Sequence, residues 1–290
     1  MRSSLIRLLP VAFLLLLGGC ASRGIPQAVG SGEQPAARAV LQKSAEAHGL
    51  AGFRQLEDVS VSYAGGWCGL VSKIQPLLID ANFRRASQER IIFKGGPLVG
   101  QRHLGPGGHK QVIRQRGQVE VFYNDVPSTD REVLASAALV ADAYRMFLTG
   151  PFYFLDGNLS LEVGENEDVE GRACATIIAL RRPGHGQSAE DRYLLFIDVE
   201  NHLLRRVRFT MEGLESTQGA IAEVDVFDHK EIAGVIWPTR FYERLRKPIP
   251  SLPVHDWRLI GLDVNRGLNA ADIVGPAFSA KAAAAARPAD

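Results

Sequence analysis

Two histidines lie close together in a glycine-rich stretch, which raises the question of a metal site. The stretch is GQRHLGPGGHKQ, Gly100 to Gln111, and it contains His103 and His109. Their spacing fits none of the usual zinc patterns, and the stretch holds no cysteine or carboxylate to complete a tetrahedral ligand set. Lys110 is not followed by Ser or Thr, so the stretch is not a phosphate-binding P-loop either. We expect a mobile loop with solvated histidines, and no metal.

Nucleophilic catalysis would require an activated serine or cysteine. The chain has no G-x-S-x-G motif, and Cys68, beside Trp67, has no neighbouring base in the sequence to activate it. The acidic stretch GENEDVEG, Gly164 to Gly171, lacks the ligand register and the distant bidentate glutamate of a calcium loop. We therefore predict that the protein is not an enzyme and needs no cofactor.

A third chemical feature is Cys20, which ends the run LLLLGGC. Arg2 and Arg7 precede an apolar core from Leu8 to Leu17 that is too short to cross a bilayer but fits a secretory signal. The two glycines before Cys20 resemble the bacterial lipobox, in which the leader is removed and the cysteine is acylated. This pattern predicts a signal peptide over residues 1–19 and a lipid anchor on Cys20; the alternative is an ordinary signal peptide with an incidental cysteine.

Composition limits the partners of the mature chain. The sequence has 33 basic and 32 acidic residues; removal of residues 1–19 takes away two arginines, which leaves 31 basic residues against 32 acidic ones and a net charge of −1. This balance gives no electrostatic case for nucleic acid. Residues 20–35 have the composition of a flexible linker, residues 36–278 are long enough for a single domain, and residues 279–290 form an alanine-rich tail.

Two further cysteines, Cys68 and Cys174, are separated by about a hundred residues. Export to an oxidising compartment permits a disulfide between them. The alternative is a pair of small buried thiols, because the sequence cannot show whether the two Cα atoms are adjacent.

Two helices are predicted. The first spans Ala36 to His48 and is followed by Gly49, a residue that commonly stops helices. The second begins with a capping box formed by Thr129 and Glu132 and ends at Gly150-Pro151. Its apolar stripe has helical spacing and must pack on another apolar surface; the residues are Val133, Ala137, Val140, Tyr144 and Phe147.

Nearly all the remaining sequence has strand patterns. DVSVSYAG alternates, and KQVIRQRGQVEVFYN splits at Arg116-Gly117 into a hairpin. Further strands are predicted at Leu159–Val163, Cys174–Arg181, Arg192–Val199, Leu203–Met211, Ala220–Asp228, Val235–Arg244 and Trp257–Val264. Strands at near-regular intervals without intervening helices indicate a mainly β, α+β fold: one antiparallel sheet, strongly curved or closed, that is covered or plugged by helices.

Three successive strands each carry a uniformly apolar face, whereas the other face of Leu203–Met211 shows Arg206 and Arg208. On the concave side of a curved sheet, such faces either form core against the helices or leave space for an apolar ligand. If a ligand binds there, we expect it to contact these faces; the six candidate lining residues are Leu195, Ile197, Val207, Phe209, Val224 and Val226.

The order of DRYLLFIDVENHLLRRVRF and AEVDVFDHKEIAGVIWPTRFYE resembles the bacterial outer-membrane lipoprotein-sorting proteins of the LolA/LolB type, over about Asp191 to Val264. EAHGL, Glu46 to Leu50, is similar to the opening of some relatives. The resemblance implies an incomplete barrel with a hydrophobic cavity that shelters acyl chains. The predicted lipid anchor makes this chain more similar to the membrane-bound receptor of that family than to its soluble carrier. We identify no counterpart of the receptor's membrane-inserting loop with an exposed leucine.

The expected function is therefore that of a lipid-anchored envelope lipoprotein, on the periplasmic side of the outer membrane. It would bind acyl chains, lipid or a lipidated protein in a hydrophobic concavity. Its role would be in lipid or lipoprotein trafficking. The alternative is a periplasmic interaction or regulatory lipoprotein of the same fold, with no lipid cavity and with an envelope protein as its partner.

Overall fold

The computed structural model describes residues 24–27, 32–155 and 159–273. The predicted signal peptide, the anchor Cys20 and the alanine-rich tail at residues 279–290 lie outside the described residues, as does most of the predicted linker. These assignments, and the division of the chain into domains, stay predictions.

The described residues form five α-helices and sixteen strands. The helices are α1 (Pro35–Ala47), α2 (Leu50–Phe53), α3 (Gly69–Ile74), α4 (Pro76–Ile79) and α5 (Arg131–Thr149). The first eight strands are β1 (Asp58–Trp67), β2 (Ala86–Ile92), β3 (Leu98–Gly105), β4 (Gly108–Gln115), β5 (Gln118–Tyr123), β6 (Val126–Pro127), β7 (Leu159–Val163) and β8 (Glu167–Val169). The others are β9 (Arg172–Arg181), β10 (Asp191–Asp198), β11 (Leu204–Thr210), β12 (Ile221–Phe227), β13 (Lys230–Ile232), β14 (Val235–Trp237), β15 (Arg240–Lys247) and β16 (Leu252–Val264).

Fourteen strands make one antiparallel sheet, in the order β6-β5-β4-β3-β2-β1-β16-β15-β12-β11-β10-β9-β7, with β8 also paired to β9. The first strand pairs with the last, so β1 and β16 join the N-terminal meander to the C-terminal one. Within the described residues the two ends of the sheet do not pair with each other. The result is an open, curved half-barrel. The strand pattern predicts the curved antiparallel sheet, and the family resemblance predicts that the barrel is incomplete.

Helix α5 fills the concave side of this sheet. Its side chains and those of the concave face share one large hydrophobic cluster. The helix is long and apolar enough to span a membrane by composition, but most of it is buried inside the fold, as a core helix would be. The N-cap is Asp130, which accepts hydrogen bonds from the backbone N–H groups of Glu132 and Val133. The predicted capping box is therefore wrong: the helix begins one residue later, because Asp130 supplies the capping oxygen.

The concave face has two chemically different halves. On β9 to β12 it is apolar, as the sequence predicts. On β2 to β4 the cross-strand neighbours include Glu89 and Gln101, which pair with each other and share a face with Val61 and Val112. The polar half has no alternating pattern of apolar residues, so β2 and β3 are not recognisable from sequence.

Two local expectations need correction. The stretch Gly100–Gln111 is not a loop but most of a hairpin between β3 and β4, and His103 is fully buried. The strand predicted over Val235–Arg244 is interrupted after Trp237, where β14 pairs only with β13, and β15 then joins the main sheet. Pro238 explains the break, because proline has no N–H to donate to a sheet.

The convex face of β11 and β12 is held by buried ion pairs rather than by solvated charges. Glu223 accepts from Arg208, with 2.7 Å between Nη2 and Oε2, and from Arg244, with 2.7 Å between Nη2 and Oε1. Burial alone would raise the pKa of Glu223, but the surrounding arginines lower it, so the carboxylate stays ionised. Ile25, from the N-terminal segment, packs on this side of the sheet.

Candidate apolar binding cavity

A cavity of about 170 Å³ lies between α5, the α3–α4 segment and the sheet. The helix contributes five residues to its wall. Because an α-helix turns once in 3.6 residues, positions three and four apart lie on the same face. The predicted stripe of α5 thus supplies part of the wall; the five residues are Leu139, Val140, Ala143, Tyr144 and Phe147.

The sheet side of the cavity is formed where β11, β15 and β16 end. Phe209 packs against Phe147, with 5.8 Å between the ring centroids. Apolar side chains continue the wall on both sides of this pair: Met211, Ala220, Leu245 and Val254. The wall is therefore mostly apolar on the helix side and on the sheet side.

Only one of the six predicted lining residues, Phe209, lines this cavity. The other five share its apolar face, as the register of β10, β11 and β12 requires, and each is at most 3% exposed. They pack in the main core, because helices fill that part of the concavity. We therefore revise the predicted lining: Leu195, Ile197, Val207, Val224 and Val226 are core residues in this structure.

The α3–α4 segment, which connects β1 to β2, covers the cavity. Val71, Ile74 and Leu78 face the interior space. Helices this short show no apolar periodicity, so sequence reasoning missed them. The cover also exposes large apolar side chains: Leu70 is 50% exposed and Ile74 is 45% exposed.

Gln75 and Ser216 connect the cover to the opposite side of the cavity. The Gln75 Nε2 donates to the Ser216 carbonyl oxygen at 2.9 Å, and the Ser216 hydroxyl donates to Gln75 Oε1 at 2.9 Å. Both residues line the cavity. Near them Ile249, which is 45% exposed, lies at the rim. The mouth of the cavity therefore combines an exposed polar link with an exposed apolar rim.

Five residues with polar side chains line the cavity: Gln75, Ser216, Thr217, Gln218 and Glu243. Glu243 lies there, and its Oε2 is 2.8 Å from Nε2 of His255. Tyr144 also lines the cavity; its hydroxyl is buried and has no hydrogen-bond partner among the described residues. Burial raises the pKa of Tyr144, so the hydroxyl keeps its proton. The enclosed hydroxyl therefore does not face the cavity, which Tyr144 lines with the rest of its side chain.

The two cysteines are both free and lie in different hydrophobic clusters. Cys68 packs at the start of α3, whereas Cys174 is buried on the convex side of β9. No bridge joins them in this structure, which agrees with the alternative of two thiols and not with the permitted disulfide.

One serine–histidine pair could not be recognised from the sequence, because its two residues lie on different strands. The Ser87 hydroxyl lies 2.7 Å from Nδ1 of His103, on neighbouring strands of the polar half. Both side chains are buried, and burial keeps the pKa of His103 well below its usual value. The Nε2 atom of His103 has no partner among the described residues, so no third group completes a triad there. The pair is part of the closed interior.

The antiparallel half-barrel curved around a core helix is a fold that solved structures share with this chain. A solved LolA superfamily protein from Nitrosomonas europaea matches this chain with a TM-score of 0.50 and 14% identity, over 82% of this chain and 97% of that one. The predicted resemblance is thereby confirmed at the level of the fold.

Two further solved structures are similar with lower scores. A DUF1329 family protein from Desulfovibrio piger has a TM-score of 0.49 and 11% identity, over 83% of this chain and 98% of that one. A Vibrio parahaemolyticus domain named for outer membrane lipoprotein sorting has a TM-score of 0.43 and 10% identity, over 82% and 97% of the two chains. The sequence matches no family model and no curated protein.

Proposed function

We propose that this protein is a non-enzymatic lipoprotein of the bacterial envelope that binds an acyl chain, carried by a lipid or a lipidated protein, in the apolar cavity. The observation that carries the proposal is the cavity of about 170 Å³ with its mostly apolar wall. The LolA-superfamily fold supports it. Acylated Cys20 would hold the protein on the outer membrane, facing the periplasm, where it would take part in lipid or lipoprotein trafficking.

The size of the cavity defines how much of a chain it holds. An apolar cavity of about 150 Å³ stays dry and binds one benzene-sized molecule. This cavity therefore takes on the order of six to eight carbon atoms of an acyl chain. Each buried methylene contributes about 0.8 kcal/mol, so seven of them contribute about 6 kcal/mol before the cost of immobilising the chain.

A longer chain requires the cover to move. The link between Gln75 and Ser216 is built from two exposed hydrogen bonds, which exchange readily with water and contribute little net free energy. We infer that the α3–α4 segment opens by breaking this link. The exposed rim residues Ile74 and Ile249 would then contact the entering chain and reduce its exposure to water.

The cavity wall disfavours the polar end of a bound lipid. Glu243 would repel a carboxylate there, and the Tyr144 hydroxyl is enclosed, so it does not face the space as a donor. The polar end of the bound molecule is therefore expected to stay outside the cavity.

Ala143→Phe tests the proposal because it adds an aromatic ring at the cavity wall. The soluble body from Ser22 onward, made in the periplasm, is analysed by native mass spectrometry and lipid extraction. The unchanged body is expected to carry an extra mass that extracts as lipid, and Ala143→Phe to lose it. Ala173→Phe, at an exposed position of β9, is the matched control and should keep the lipid. Thermal unfolding of both variants verifies that they fold.

A clean apo mass of the unchanged body, still clean after incubation with envelope lipids, would contradict acyl-chain binding. Equal lipid occupancy in a folded Ala143→Phe variant would remove this cavity from the site. In either case, crosslinking in intact cells would next test for an envelope protein partner.

A further inference from the structure

A second cavity, of about 240 Å³, lies beside the opposite face of α5. Asp142 and Arg145 line it from the helix, about half a turn around from the residues that line the apolar cavity. Residues of both sheet ends complete it, including Arg114 at the end of β4 and Arg181 at the end of β9. We call this space the arginine cavity.

The arginine cavity carries a marked excess of positive charge. Four arginines and one aspartate line it, which leaves a formal charge of +3. The aspartate is already neutralised: Arg114 donates to both oxygens of Asp142, with distances of 3.3 Å from Nε and 2.8 Å from Nη2. For the other three, Arg116, Arg145 and Arg181, no described carboxylate lies within ion-pair distance.

Two of these arginines are held in place by one aromatic ring. The guanidinium carbons of Arg145 and Arg181 lie 4.8 and 4.3 Å from the ring centroid of Tyr153. Arg181 also donates from Nη1 to the Tyr153 carbonyl oxygen at 3.1 Å. These contacts restrict both side chains, so less side-chain entropy is lost when they bind an anion.

One donor in this cluster is buried without an acceptor. The Nε atom of Arg145 has no hydrogen-bond partner among the described residues. A buried charged donor without an acceptor is unfavourable, and so are two like charges stacked near one ring. An anion in the cavity would offset the repulsion between the two guanidinium groups, and its negative charge would lie near the enclosed Nε atom.

We propose that the arginine cavity binds a phosphate group, presented either as free phosphate or as the headgroup of a phospholipid. Guanidinium groups bind phosphate oxygens through paired, charge-assisted hydrogen bonds, and three unpaired arginines match a multiply charged tetrahedral anion. The site is separate from the acyl-chain cavity, since α5 lies between the two. It therefore goes beyond the proposed function, and either assignment can fail without the other.

The test uses the full chain in a phosphate-free maltoside detergent. Inorganic phosphate is titrated by isothermal calorimetry, and phosphatidylglycerol mixed into the micelles is observed by the ³¹P line width of its headgroup. Binding of at least one probe is expected, and it should weaken as salt rises. The double variant Arg145→Gln/Arg181→Gln should bind about tenfold more weakly or worse, because each loses a charge-assisted hydrogen bond.

Arg116→Gln covers the case in which the double variant does not fold. Arg116 is exposed and its one hydrogen bond in this region is long, 3.5 Å to the Gly95 carbonyl oxygen, so its removal should leave the fold intact and weaken binding severalfold. Arg258→Gln, at an exposed position of β16, is the control and should bind normally. Binding of inorganic phosphate identifies a free-anion site, whereas binding of phosphatidylglycerol alone identifies a headgroup site. No binding of either probe, or binding unchanged in a folded cavity variant, overturns the proposal.

Discussion

Replacing Glu89 with glutamine should stabilise the protein at alkaline pH and leave its stability unchanged in acid. Glu89 is 1% exposed on β2, and burial raises its pKa to about 7. Its Oε2 accepts a hydrogen bond from Nε2 of Gln101, while its Oε1 and the Gln101 Oε1 have no partner in the described part of the chain. A protonated carboxyl, or the amide of Glu89→Gln, can donate to the Gln101 oxygen; a carboxylate cannot.

The sign and size of the change in the free energy of unfolding follow from the protonation of Glu89 in the folded and unfolded chains. Below pH 4.5, the ordinary value for glutamate, the carboxyl is protonated in folded and unfolded chains alike and costs nothing. As the pH rises from 4.5 towards 7, the unfolded chain releases its proton first, so the native state loses stability. Above pH 7 the loss is complete and amounts to about 3 kcal/mol.

Urea denaturation of the soluble body at half-unit steps from pH 5 to pH 8 measures the effect. The free-energy gap between Glu89→Gln and the unchanged protein should widen by about 2.5 kcal/mol in favour of the variant. Burial lowers the pKa of His48 to about 4 and that of His185 to about 3, so neutral histidines favour folding above pH 6.5 and lose that contribution in acid. Both proteins share this effect, and it cancels in the difference.

Glu120→Gln, at an exposed position of β5, provides the matched control and should give a gap that does not depend on pH. The reasoning is refuted if the gap between Glu89→Gln and the unchanged protein is constant across the range. It is also refuted if the unchanged protein is the more stable one at pH 8.

Two further predictions concern the cavity mouth and the thiols. Ile249→Asp, at the exposed rim, should slow the uptake of a fluorescent acylated probe severalfold in stopped-flow mixing without changing the melting temperature. The control Ile260→Asp, at a similarly exposed position of β16 away from the cavity, should not slow uptake. Equal uptake rates in the two variants would contradict entry at this rim. When the soluble body is denatured without reductant, two reactive thiols are expected, one from Cys68 and one from Cys174. No reactive thiol would indicate a disulfide between them. In the native state Cys174 should be labelled slowly at pH 8, because burial raises its pKa to about 11.

Sequence patterns are sufficient for the fold where strands have one apolar and one polar face. β7 was predicted with its exact bounds, and β10, β11 and β12 within one residue at each end. The same patterns fail on β2, whose concave positions include Ser87 and Glu89. Polar residues on both faces remove the alternation on which a strand prediction depends.

The candidate site was partly visible in sequence for a physical reason. A helix stripe can be read from spacing alone, so Val140, Tyr144 and Phe147 were placed on one face of α5, and that face lines the cavity. Cavity volume depends on how closely helices approach the sheet, which no local pattern records. The apolar strand faces were therefore found, but the division between filled core and open space was not.

Long-range charge clusters were missed for a similar reason. Arg114, Arg145 and Arg181 lie on β4, α5 and β9, and only the closing of the sheet around the helix brings them together. Arg206 and Arg208 look solvated in sequence, yet Arg208 is 2% exposed and paired with Glu223 on the adjacent strand. The alternation reports which side of the sheet a residue faces, whereas its partners depend on strand order.

The two halves of the concave face also limit the path of a bound acyl chain. Core residues fill the concavity over β10 to β12, and buried polar groups such as Glu89 and Gln101 line it over β2 and β3. A chain longer than the cavity would have to displace core side chains in one direction or desolvate polar groups in the other, and both are costly. The remaining direction is outward, past Ile74 and Ile249. The proposed function therefore requires that the acyl chain enter with its methyl end first and that the headgroup of the lipid stay outside the α3–α4 segment.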